Sequence, residues 1–191
     1  MDYKLFAFKE FASGYLDHLP EEDWNRFQQR LTPVTYRKGE TVFPSTEVCK
    51  KVLFITKGLI ATEYQAENEV VITRFFKSNT LCSNVMSSIN NVLANDRVFA
   101  ITGVEGVLFP YEIFLENYLF SNTIGLYFRK WMIENLLDDK QFMSVKTVSG
   151  VHAKLEFLYE KYPEVILESP WKHIASFIGV SPEWLSRTLK R

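Results

Sequence analysis

The chain has 191 residues, 47% of them hydrophobic, and a formal net charge of −1; that suffices for one large domain or two small ones, and it excludes a general, strongly basic nucleic-acid coat. Two cysteines, Cys49 and Cys82, exclude a disulfide framework and a four-cysteine iron–sulfur cluster within one chain. No apolar run reaches 18 residues and the N-terminus lacks a signal-peptide pattern, so a cytoplasmic protein without a membrane span is expected.

In chain order, residues 2–31 are expected to be helical. Leu16, Leu19, Trp24, Phe27 and Leu31 recur at roughly helical spacing, and Pro20-Glu-Glu-Asp reads as a helix opening. From Val34 to Pro110 the texture changes to short runs rich in Val, Ile, Phe and Thr, broken by turn residues such as Lys38-Gly39-Glu40 and Lys57-Gly58. Runs this closely spaced predict an antiparallel β-roll, not a parallel sheet with crossover helices. Tyr111 to Tyr118 reads as a short helix, and Asn122 to about Val148 as a long one.

The long helix carries two apolar stripes. Ile124, Phe128, Trp131, Phe142 and Val145 form one; Leu126, Ile133, Leu137 and Met143 form the other. A helix apolar on two sides must be covered twice, once by its own roll and once by a second subunit. Ile124, Phe128, Trp131, Asn135 and Phe142 are the residues assigned to the dimer seam. Asn135 and Asp138 interrupt it and could set register or line a pocket. Ser149 is expected to cap a further helix to about Lys161, with Leu155, Phe157 and Leu158 inward. Pro163 and Pro170 then bound the connection to the last segment.

Residues Trp171 to Arg191 read as a helix-turn-helix. Ile174, Ile178, Val180 and Leu185 are apolar where two crossed helices touch, Ala175 is small where backbones approach, and Gly179 sits at the turn. Ser181 suits the N-cap and Pro182 the first helical position. From Val145 onward there are seven Lys or Arg against five Asp or Glu, a weak positive bias. The division expected is 1–120 for a sensory roll with flanking helices, 121–148 for a dimerisation helix and 149–191 for a DNA-binding domain. The sequence ends just past the second helix, so no β-hairpin wing is expected. The class is α+β.

This order of parts resembles the Crp/Fnr family of bacterial transcription regulators: a helix, Lys38-Gly39-Glu40 entering a β-roll (a double-stranded β-helix of cyclic-nucleotide-binding type), a long helix, and a helix-turn-helix ending in Leu185-Ser186-Arg187. Short members without a wing, similar to some Bacteroidetes regulators, match it in layout. The resemblance implies a homodimer paired along the long helices, a roll that adjusts the angle of the DNA-binding ends, a near-palindromic site in double-stranded DNA, and RNA polymerase as a further partner. The Fnr-like branch reads DNA with Glu-x-x-Ser-Arg, which stands here as Glu183 to Arg187. Chemistry supports the transfer: Glu183 and Arg187 share one helix face, Arg can donate twice to guanine O6 and N7, and Glu can accept from cytosine N4. Ser186 lies beside them, and Ser181 with the free amides at the helix start suits a phosphate. Pro182, which offers no side-chain hydrogen bond, and Lys190 complete the DNA-binding set.

The family's cyclic-nucleotide signature is a Gly-Glu pair after a roll strand and an Arg-Ser or Arg-Thr pair in the next loop. Ser83-Asn84 stands at the first place, and Ala94-Asn95-Asp96-Arg97 puts an acid beside the one Arg at the second. A carboxylate beside a phosphate site lowers affinity, which disfavours cAMP. No cofactor is expected; a small-molecule effector would draw on Ser83, Asn84, Ser87, Ser88 and Arg97. Two other readings stay open: a cyclic-nucleotide-responsive regulator with a divergent pocket, and a protein-binding module without DNA recognition in which Trp184 grips a partner. An enzyme is not expected: His18, His152 and His173 all lie outside the Val34–Pro110 segment, so the roll lacks cupin-type metal ligands, and no phosphate loop or nucleophile elbow is visible.

Overall fold

The expected N-terminal helical region is two helices, α1 (Tyr3–Gly14) and α2 (Glu21–Gln28), in a computed structural model that describes residues 2–14, 20–67, 69–119, 123–148 and 150–189. Leu16, Leu19 and Ser149 lie outside the described residues. Pro20 does open α2, whose first turn carries Glu21, Glu22 and Asp23 at the positive end of the helix dipole. Leu31 is past the helix and leads into strand β1 (Thr32–Tyr36).

The antiparallel roll is present. It comprises β1, β2 (Thr41–Phe43), β3 (Lys51–Lys57), β4 (Ile60–Gln65), β5 (Val70–Phe76), β6 (Thr80–Cys82), β7 (Asp96–Ala100) and β8 (Val104–Pro110). One sheet runs β1-β8-β3-β6 and the other β2-β7-β4-β5. A six-residue helix, α3 (Val85–Asn90), interrupts the strands between β6 and β7. Gly58 turns β3 into β4 at φ +101°; a Cβ there would lie 2.3 Å from the Gly103 carbonyl oxygen, so only glycine fits.

Strand alternation distributes the core. On β3, Leu53 and Ile55 point between the sheets, where they meet Val42, Ile60, Phe76 and Val98. Val52 and Phe54 point to the outer face, against α1, α2, α4 (Tyr111–Leu119) and the long helix α5 (Thr123–Val148). That outer layer is strongly aromatic: Phe8 stacks on Phe54 with centroids 4.4 Å apart, and Phe114 meets Phe128 at 4.9 Å. The outer face of the other sheet, carrying Leu59, Ala61, Ile72, Phe75 and Phe99, shares one cluster with the C-terminal helices. Those are α6 (Val151–Lys161), α7 (Pro163–Glu168), α8 (Trp171–Ile178) and α9 (Pro182–Leu189).

The assignment of the dimer seam is corrected here. Phe128 is fully buried and Trp131 6% exposed, both inside their own subunit's aromatic layer. Phe142 packs on Phe177 and Phe157, and Asn135 accepts a hydrogen bond from Arg74 of β5 at 2.7 Å. The side chain of Ile124 lies outside the described residues. The face of α5 turned to solvent is the other stripe, Leu126, Ile133, Leu137 and Met143, joined by Leu136; all five are exposed.

Candidate nucleic-acid interface

Gly179, with φ +79°, caps α8 in the left-handed conformation and reverses the chain within three residues. Ser181 then caps α9 as its sequence position foretold: its hydroxyl accepts the Trp184 backbone N–H at 3.1 Å. Ile174, Ala175, Ile178 and Leu185 are at most 1% exposed and lock the two helices together. Lys154 of α6 donates to the Ile178 carbonyl at 3.2 Å, placing a cation at the negative end of α8.

With Leu185 buried, the opposite side of α9 faces solvent. Ser181, Pro182, Glu183, Ser186 and Arg187 are all exposed, and Glu183 and Arg187 stand one turn apart. Arg187 Nε lies 3.4 Å from the Glu183 carbonyl, holding the guanidinium along the helix. Lys190 lies outside the described residues. Trp184, 37% exposed, joins this outward surface instead of packing fully into the bundle. The arrangement is an exposed short helix with an acceptor, a hydroxyl and a bidentate donor in a row, which is chemistry for base edges in a major groove.

The residues put forward for an effector pocket do not converge. Ser83 donates to the Lys51 carbonyl at 2.9 Å, Ser88 to the Cys49 carbonyl at 2.6 Å and Ser87 to the Val92 carbonyl at 2.6 Å. Asn84 caps α3 through the Ser87 N–H. These groups stitch α3 to the chain before β3. Arg97 is elsewhere: it points to the outer face of its sheet, over the Phe99 ring, and pairs with Glu63 at 2.7 Å while also bonding Thr41 and the Gly39 carbonyl. Between the sheets lie the buried apolar side chains of Leu53, Ile55, Ile60, Phe76 and Val98. Asp96, half-buried nearby, has its carboxyl pushed above the usual range by burial. A cleft of about 500 Å³ lies instead between β5, the turn after it, α5 and the α6–α7 junction, with Arg74, Lys77, Glu134, Asp138 and Lys161 on its walls.

Cys49 and Cys82 are buried free thiols, and burial pushes the Cys82 thiol far up. Among the described residues no group of three His, Cys, Asp or Glu could hold a metal ion, and no helix is long and apolar enough to cross a membrane.

No family model matches the chain, and neither does any curated protein. Solved structures do. FixK2 from Bradyrhizobium japonicum superposes with a TM-score of 0.70 at 15% identity, covering 84% of this chain and 83% of its own. The c-di-GMP responsive global regulator CLP of Xanthomonas campestris gives 0.66 at 17% identity, over 87% and 88%. A protein of Eubacterium rectale described as a crp/fnr-family transcriptional regulator gives 0.66 at 16%, over 93% and 86%. This is the fold of the Crp/Fnr regulators. These superpositions cover 84% to 93% of the chain, so the α+β fold expected from the order of motifs is the one found. At these identities the likeness speaks for fold alone.

Proposed function

We propose that this protein is a sequence-specific, DNA-binding transcription regulator of the Crp/Fnr type that acts as a homodimer. The observation that carries the reading is α9, a helix held rigidly by Leu185 and capped by Ser181, whose outward row is Glu183, Ser186 and Arg187. Arg187 reads guanine and Glu183 reads cytosine; Ser181, the amides at the start of α9 and Lys190 hold phosphates. Dimerisation runs along the aliphatic face of α5. Leu126 and Ile133, like Leu136 and Met143, are seven residues apart, the repeat of a coiled-coil seam. As a soluble regulator it works in the cytoplasm and meets RNA polymerase at the promoter.

The outward-facing Arg97, held by Glu63, Thr41 and the Gly39 carbonyl, favours a regulator that does not read cyclic nucleotide with the family's usual pair. Selection of bound duplexes from a random pool, with and without small-molecule cell extract, tests both halves of the reading. A near-palindromic consensus recovered equally in both arms is the expected result; a protein that retains no duplex at low salt overturns it.

A further inference from the structure

β5 is the last strand of its sheet, so one edge of its backbone has no strand partner. At that edge the Ile72 N–H donates to Ser176 Oγ at 3.0 Å, and Ser176 Oγ donates to the Val70 carbonyl at 3.1 Å. One hydroxyl on α8 thus stands in for a neighbouring strand. Around it Phe177 rests on Phe75, with centroids 4.9 Å apart, and His173 and Phe99 form an edge-to-face pair with centroids 5.5 Å apart. Ile72 is 1% exposed, so its N–H, without the hydroxyl, would be left unpaired as long as α8 stays docked. The same strand is tied at its other end to the long helix, where Arg74 donates to Asn135.

We propose that Ser176 is a releasable clasp, and that β5 is the strand through which the roll and the long helix set the pose of the DNA-binding unit. Docked, the hydroxyl satisfies one edge donor and one edge acceptor; lifted, water does. Hydrogen bonds are nearly conserved in the exchange, so what the clasp contributes is register: only one position of α8 along β5 serves both groups. α9 follows α8 rigidly through Gly179 and Leu185, so that position also fixes where Glu183 and Arg187 point. A shift of β5, from either the roll or α5, is passed on as a shift of the recognition helix. The consequence for DNA rests on the regulator reading; the clasp itself does not.

Hydrogen exchange on the full chain tests it, comparing wild type with Ser176→Ala and with Ser176→Thr, which keeps the hydroxyl. The Ala variant should exchange the Ile72 amide about tenfold faster, the size of one net hydrogen bond. Amides of α8 and α9 should speed up with it, β3 should not change, and Thr should restore protection. Wild-type exchange at Ile72 in the Ala variant, or faster exchange there with α8 and α9 unaffected, overturns the clasp. On the selected duplex the Ala variant should lose affinity several-fold and Thr recover it. An Ala variant with freed α8 that binds DNA as wild type does overturns the coupling. A wild-type protein that ignores DNA while the exchange pattern holds removes the regulator reading and leaves the clasp standing.

Discussion

Arg187 owes its outward position to a buried neighbour. Leu185 is buried, and that alone turns Glu183 and Arg187, two residues to either side, outward. Arg187→Ala should therefore leave the fold intact and cost about 1–3 kcal/mol of base discrimination at one position per half-site. Competition between consensus and scrambled duplexes measures it; unchanged discrimination would show that the guanidinium reads no base. His173 illustrates the other kind of residue, one set between α8 and the sheet, against Phe99. Burial first, then Lys172 and Lys38, hold its pKa below the ordinary 6.5, against an opposing pull from Glu63, and its Nδ1 has no hydrogen-bond partner among the described residues. Because the folded form resists the proton, the unfolded chain takes it first as pH falls. Stability from this site is complete above about pH 6.5 and drains away as pH drops toward the lower folded value. The fall in Tm between about pH 7.5 and about pH 5.5 should accordingly be smaller in His173→Gln than in wild type.

Among the elements, α5 shows what sequence periodicity can and cannot say. Its two apolar stripes were legible, and so was the need for two coverings. Which stripe faces inward was not, because periodicity gives angles around a helix and no direction to the sheet. The aromatic stripe went inward because Phe128 and Trp131 find Phe27, Phe109 and Phe114 there, rings contributed by three other elements, α2, β8 and α4. The seam should then respond to Ile133→Glu, which places a charge on the exposed face and should give folded monomers by sedimentation. Trp131→Glu should instead bury a carboxylate in the subunit's own core and lower stability by ~3 kcal/mol or more, read as a loss of Tm with dimerisation lost only on unfolding. The helix-turn-helix was legible down to its cap because Gly179 and Ser181 act locally. β2 and β6, three residues each, are too short to show alternation, and α3 and α7, six residues each, too short to show a helical repeat. Ser176 had no signature at all, since nothing near it in sequence announces a free strand edge.

For the whole molecule, two copies of α9 related by a twofold axis should enter successive major grooves about 34 Å apart. Inserting about five base pairs between half-sites turns one groove to the far side of the duplex, so affinity should fall to that of a single half-site. Retained affinity would mean that the two reading heads move independently. The cluster joining the outer sheet to α6, α8 and α9 speaks against such independence, and it has a wider implication for how such a protein can be rebuilt. The C-terminal helices share their interior with Ile72, Phe75 and Phe99, so they are not a cartridge. A chimera that grafts residues 150–189 onto a foreign roll would inherit half a core, and would have to carry the matching sheet face along with the head.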